Sequence, residues 1–425
     1  MIGAIRLRAV LAALAAAAVF LVVAPAAPVA SDEMIPITGE PVAVMAPFEA
    51  KAVAAMQRTK LPGMAVAVAK NGRLVYARGF GYLDAAKKIP MPPDALFMMA
   101  SISKSFTGVA TYQLVQEGRI DVDHTVFGKN GYLSTLTPPP PYVIDPRLEK
   151  ATVRDFLAMT VAWTEKTCSG KKPVFSGDPT TPEAMIAQQI AYCLANPPGQ
   201  AYKYVNADFD ILGLVIAARN AQHLGYEAYM QQQLFHPLGI EHMYLAHQPG
   251  KEVVHYAYPS RQWPPPTAPS IPLRVRAPAG GWVTNTIDLM RLQSALRNLG
   301  GFRSPLSPQT TAAFVAPPDV PYYKRRKNQT RYWVSGWDSV SCPCVSGAMR
   351  GGKLVNGVDA SWRKGGDLPG TLTGYQSDPD GLSFVILLDQ HNTAAMPAIN
   401  KDLLIPFVRA VKHWPNDDQF PKYPG

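Results

Sequence analysis

Two paired apolar runs, one towards each end of the chain, constrain its fold more than any other feature. Gly63–Lys70 is apolar up to Asn71-Gly72, and Arg73–Gly79 continues in the same manner. Asn and Gly tolerate the positive φ that a two-residue hairpin turn needs, so this stretch predicts a β-hairpin. Near the other end, Gly370–Ser377 and Leu382–Asp389 flank Asp378-Pro379-Asp380-Gly381. There Pro presets φ and Gly supplies permissive geometry. The run from Ser383 to Leu388 has the apolar continuity of a fully buried strand.

Between these ends the spacing predicts helices. One covers Pro47–Arg58. Another begins near Ser101, where Ile102, Phe106, Val109, Ala110 and Leu114 share a face and Gly118 marks the stop. Further helices are expected near Val153–Met159, Pro182–Leu194, Asp208–Arg219, Tyr226–Leu234 and Ile287–Leu299, with a last one from Ala394 to Trp414. Pro138–Pro141 and Pro264–Pro266 are loop material. Strands at both ends around a helical middle predict an α/β chain of the α+β type. Its mainly antiparallel sheet is flanked by helices and built from residues 47–118 and 271–415. A mostly helical subdomain, residues 119–270, is inserted between them. Residues 31–46 form an N-terminal extension and residues 416–425 a tail.

Arg6 and Arg8 precede an apolar run from Ala9 to Val23, followed by small residues that include Ala24-Pro25-Ala26. That order is the signature of a secretory signal over residues 1–30, and predicts an exported protein, periplasmic or secreted. The other reading of the run is an uncleaved anchor. Four cysteines, Cys168, Cys193, Cys342 and Cys344, suit an oxidising compartment. Cys168 with Cys193 is the favoured disulfide, because a Cys342–Cys344 bond across one residue would be strained. Reduced, buried thiols are the plainer alternative. The C-x-C spacing does not suit zinc, and no metal or cofactor is expected. Lys and Arg outnumber Asp and Glu by 41 to 31, a net charge of +10. That balance favours weak attraction to anionic envelope components. The one dense basic cluster, Lys324-Arg325-Arg326-Lys327, reads as a solvated loop, with no nucleic-acid motif beside it.

Three short motifs carry the chemistry: Ser101-Ile102-Ser103-Lys104, Tyr204-Val205-Asn206 and Lys364-Gly365-Gly366. A serine hydroxyl needs an adjacent base to act as a nucleophile. Residues three apart share a helix face, so Ser101 and Lys104 are expected side by side. Lys104 can accept a proton only where burial or a second cation depresses its pKa, and Lys364 could be that cation. Each motif has a bland reading. Tyr204 could be an ordinary half-buried tyrosine, Asn206 a helix cap and Lys364-Gly-Gly a plain turn.

The stretch from Lys70 to Thr107, including Leu96-Phe-Met-Met-Ala-Ser-Ile-Ser-Lys-Ser-Phe-Thr107, closely resembles the serine β-lactamase and penicillin-binding-protein-like hydrolases. The resemblance continues at Tyr202-Lys-Tyr-Val-Asn206, at Asp210-Ile-Leu-Gly, at Pro278-Ala-Gly-Gly-Trp-Val-Thr and at Lys364-Gly-Gly-Asp-Leu-Pro-Gly, over roughly residues 45 to 410. Class C β-lactamases, D-Ala-D-Ala carboxypeptidases and related esterases make up that group. The resemblance implies a β-lactamase/transpeptidase-like fold and hydrolysis of an ester or amide, including a β-lactam or a D-amino-acid peptide. Ser101 would be acylated, with Lys104 its hydrogen-bonded partner. Tyr204 would shuttle a proton, acting with Lys104 as base, and Asn206 would orient Lys104 and the substrate. Lys364 would face a substrate carboxylate or stabilise a Tyr204 phenolate, and Gly365 and Gly366 would bind the substrate. The backbone N–H groups of Ser101 and Asp367 would form the oxyanion hole. Two departures stand out. Leu157–Trp163 replaces a His-Thr-Ser-Gly segment, and Lys-Gly-Gly replaces Lys-Thr-Gly, removing a threonine hydroxyl. A silent relative that binds peptidoglycan or a protein is the alternative from another class. It has no need of Ser101, Lys104, Tyr204 and Lys364 together.

Overall fold

The strand pairing explains why the two ends of the sequence read alike. The computed structural model describes residues 34–256, 273–320, 324–326, 329–342, 349–350, 353–354 and 360–424. The expected signal, Pro264–Pro266, Lys327 and Cys344 lie outside them. Strands β1 (Ile37–Thr38), β2 (Gly63–Lys70) and β3 (Arg73–Gly81) come from the first part of the chain. A two-residue strand β4 (Phe97–Met98) pairs with β5 (Val283–Thr284). Then follow β6 (Lys324–Arg326), β7 (Gln329–Val334), β8 (Trp337–Cys342) and a small pair, β9 (Met349–Arg350) with β10 (Lys353–Leu354). The last three are β11 (Ser361–Leu368), β12 (Thr371–Ser377) and β13 (Leu382–Leu388). Nine of them join in the order β1-β3-β2-β13-β12-β11-β8-β7-β6, with antiparallel neighbours.

Both expected turns form. Asn71 and Gly72 take φ of 53° and 76°, the pair of positive values that a tight hairpin requires. β2 then pairs with β13 from Lys70↔Leu382 to Met64↔Leu388, which seals the first part of the chain to the last. Side chains alternate across a strand, and here both faces are buried. Ala65, Ala67 and Ala69 face one core with Val385 and Leu387. Met64, Val66 and Val68 face another with Phe384 and Ile386. Burial on both sides is why these strands read as continuous apolar runs.

Helix α1 (Ala46–Thr59) and the C-terminal helical segment cover the second face, through Phe48, Met56, Leu404 and Val408. Helix α2 (Ser103–Gln116) lies in the first core, buried almost all round. Against it pack α5 (Asn206–Arg219) and α8 (Pro308–Phe314); α3 (Val153–Leu157), α4 (Pro182–Gln189) and α6 (Tyr226–Tyr229) pack on α5, and α7 (Thr286–Leu296) lies on β2, β3 and β13. Cys168 and Cys193 are bonded, with Cα atoms 4.9 Å apart. Among the described residues no helix is long and apolar enough to cross a membrane.

Two expectations need correction, and one plainer alternative falls. The helix expected over Ala394–Trp414 forms but ends at Ala410, and over Pro397–Leu404 it is wound as a π-helix before the short α9, Ile405–Ala410. Pro406 has no N–H to continue the ladder, so the chain is wound differently before it. Lys324–Arg326 is the edge strand of the sheet, not a loop. Lys364-Gly-Gly lies inside β11, not in a turn.

Candidate active site

The site forms where β11 runs past the start of α2. Met99–Ile102 enters α2 through a short 3-10 turn, and Ala100 is held at φ 48°. This left-handed conformation is uncommon for a residue with a Cβ. Gly366 faces that turn closely. A Cβ on it would lie 2.2 Å from Thr373 Oγ1 and 2.3 Å from the Met99 carbonyl, so only glycine lets the strand approach.

Lys104, the second residue of α2, is fully buried. Its Nζ lies 3.1 Å from Ser101 Oγ, 2.7 Å from Asn206 Oδ1 and 2.5 Å from the Ala279 carbonyl. Asn206 opens α5 without capping it, because its side-chain oxygen is turned to Lys104. Tyr204, two residues earlier, donates from its hydroxyl to Ser101 Oγ at 2.7 Å. Its ring stands edge-on to Trp333 at 5.4 Å. Lys364 Nζ lies 4.5 Å above the Trp333 ring and 5.4 Å from the Tyr204 ring. Ser101, Lys104, Tyr204, Asn206 and Lys364 are thus brought together from four separate elements.

Burial, and after it the Lys364 charge, holds Lys104 well below the usual lysine pKa, while Asp210 and Asp338 pull it back up. Burial lowers Lys364 too, opposed by Asp338. Burial pushes the Tyr204 phenol up, with the Ser101 hydrogen bond working against it. The resting site therefore favours a neutral phenol and disfavours a charged Lys104.

Beyond Arg363, β11 leaves the pairing with β8, so on that side Lys364–Leu368 has no strand partner among the described residues. The Gly365 N–H points outward to Asp338 Oδ2 at 2.8 Å. Successive residues of a strand point their N–H groups to opposite sides, so the Asp367 N–H emerges from the same edge as that of Gly365. The Asp367 side chain meets His391 Nε2 at 3.1 Å. A cleft of about 780 Å³ opens here, lined by Ser101, Tyr204, Asn206, Asp338, Lys364 and Asp367 among others. The Cys168–Cys193 bond joins the loop between α3 and α4 to the residues that follow α4.

Sequence reasoning missed Asp338 and Trp333. Asp338 Oδ1 accepts from Lys364 Nζ at 2.5 Å. Neither residue sits in a recognisable motif; sheet register brings both into place. The departure at Leu157–Trp163 also becomes intelligible. Its Leu157 carbonyl accepts from Trp333 Nε1 at 3.0 Å, and Trp163 Nε1 donates to the buried Asp208 at 2.7 Å. The segment supports the wall behind Tyr204.

A family model described as Beta-lactamase matches residues 48–405. The chain belongs to the beta-lactamase family. Within the family's reach, it is 28% identical over 193 residues to Protein flp of Staphylococcus aureus, covering 44% of this chain and 35% of that protein. It is 29% identical over 202 residues to a D-aminopeptidase of Gluconobacter oxydans, covering 47% of this chain and 35% of that enzyme. The match thus spans about a third of the length of these curated relatives. A solved beta-lactamase/D-alanine carboxypeptidase from Pseudomonas syringae superposes with a TM-score of 0.67 at 19% identity, covering 88% of this chain and all of that one (100%). That likeness establishes the family's mixed fold, an antiparallel sheet flanked by helices.

Proposed function

We propose that this protein is a serine hydrolase that cleaves an ester or amide through a Ser101 acyl-enzyme. The observation that carries the reading is the pair of contacts at Ser101 Oγ, to Lys104 Nζ at 3.1 Å and Tyr204 OH at 2.7 Å. A neutral amine has two N–H donors and one lone pair. Asn206 Oδ1 and the Ala279 carbonyl take the two donors, which leaves the lone pair for the Ser101 hydroxyl proton. Lys104, with its depressed pKa, takes that proton as the serine oxygen bonds to the substrate's carbonyl carbon. The N–H groups of Ser101 and Asp367 receive the developing oxyanion. Tyr204 gives its proton to the leaving oxygen or nitrogen as the C–O or C–N bond breaks, and Lys104 restores the phenol. Water, giving up a proton along the same chain, then releases the acid and regenerates Ser101.

The relatives' names extend the substrate range under test to D-amino-acid amides and peptides and to β-lactams. Export belongs to the same proposal. The Cys168–Cys193 bond supports it, since disulfides persist in oxidising compartments. The net charge of +10 supports weak attraction to anionic envelope polymers. The test is turnover of a penicillin, a D-alanyl peptide amide and a short-chain aryl ester, with Ser101→Ala as control. The wild type should hydrolyse at least one of them and the variant none, with unchanged far-UV circular dichroism. Equal turnover by both proteins would overturn the reading, and no turnover by folded wild type would leave a silent binder.

A further inference from the structure

Lys364 is not available to an incoming anion, because a carboxylate of this chain already holds it. Its Nζ is 2.5 Å from Asp338 Oδ1, and the Gly365 N–H donates to Asp338 Oδ2 at 2.8 Å. An ammonium and an adjacent backbone N–H, each meeting one oxygen, make a two-point seat for a carboxylate. Lys364 is almost wholly buried, its side chain 1% exposed, whereas Asp338 is 38% exposed and lines the cleft beside Ser101. The seat therefore opens on the substrate side, and Asp338 fills it from that side. A substrate carboxylate arriving at this seat would meet a like charge, with the Lys364 ammonium and the Gly365 N–H both already engaged by Asp338.

We propose that Asp338 is a specificity-determining residue that occupies the anion seat of Lys364 and Gly365, so that the site selects esters and amides whose leaving-group side carries no carboxylate. The neighbourhood agrees. Lys364 sits over Trp333 and beside the Tyr204 ring, which leaves an aromatic wall next to an anionic one. Neutral and amine-bearing groups suit such a surface, because aromatic faces and a carboxylate both attract positive charge.

This inference rests on the reading of Ser101 as an acylated nucleophile, and its test keeps the two apart. A matched pair of thioesters with one acyl group is used, one leaving mercaptoacetate and the other its carboxamide. Each is read as turnover and as slowing of fluorophosphonate labelling of Ser101, so a slow substrate still yields a value. Wild type should favour the carboxamide by about tenfold or more in kcat/KM or in competition. Asp338→Ala should narrow or invert that ratio by about tenfold, chiefly through a lower KM for the carboxylate partner. Asp338→Asn removes the same charge without changing the volume and should move the ratio the same way. A wild-type preference for the carboxylate overturns the inference before any variant is made. An unchanged ratio in whichever variant folds, or competition by neither thioester in wild type and variant alike, overturns it too. Absence of fluorophosphonate labelling in folded wild type would instead sink the Ser101 reading.

Discussion

Asp210 lies one helical turn beyond Asn206 on α5, with its carboxylate buried. Burial pushes its pKa up to about 7, while Lys104, Arg276 and the Ala279 N–H favour the anion. Arg276 Nη1 is 3.9 Å from Asp210 Oδ2. Above that pH the Asp210 charge holds a proton on Lys104; below it the carboxyl is neutral and has little hold. Asp210→Asn is therefore expected to lower the pH of half-maximal Ser101 labelling, by about half a unit to one unit, while both proteins converge at alkaline pH. An unmoved midpoint would contradict this account of Lys104. At this scale the sequence was most informative where residues are close in the chain. Ser101 and Lys104 meet because three positions nearly complete a helical turn, and Tyr204 and Asn206 flank one residue. Asp338 was illegible because only the β8–β11 register carries it to Lys364.

The elements around the site depend on how closely backbone can approach backbone. Gly366 sits against the Met99 carbonyl and Ala100, whose φ of 48° sets the direction of Ser101. Gly366→Val should push β11 from the turn and lower the rate of Ser101 labelling by about 10²-fold, with far-UV circular dichroism retained; a rate within twofold of wild type would exclude this role. The turns Asn71-Gly72 and Asp378–Gly381 could be read directly, because both residue types announce their geometry. Strands β6 to β8 and β11 could not. Trp337–Cys342 and Ser361–Leu368 carry serines, glycines and charges where a half-buried strand would alternate, and β11 gains its place by pairing with β12 over seven residue pairs and with β8 over three. The C-terminal segment misled for the opposite reason: its apolar spacing is helical, but Pro397 and Pro406 change the winding.

Across the whole molecule, the sheet stands between two apolar cores, and buried carboxyls lie among them. Asp389 accepts the Gly63 N–H at 3.0 Å with its other oxygen unbonded, and burial raises its pKa well above the usual range. Asp208 is raised likewise, chiefly by burial. A carboxyl raised by folding contributes stability that is complete below the unfolded pKa and lost as pH rises through the folded value. Unfolding free energy should therefore decline as pH rises above the ordinary carboxyl range, about 4, by up to about 1.4 kcal/mol per unit for each such group. Asp389→Asn should flatten that slope in urea titrations; parallel slopes would show that Asp389 does not titrate with folding. The overall architecture was legible because its two hairpins lie at opposite ends of the chain and must close one sheet. The central claim concerns one oxygen atom, and intact mass reads it directly. Purified protein exposed to a fluorophosphonate should gain a single adduct that maps to Ser101 and is absent from Ser101→Ala. An adduct that persists in folded Ser101→Ala, or none on folded wild type, would contradict the account.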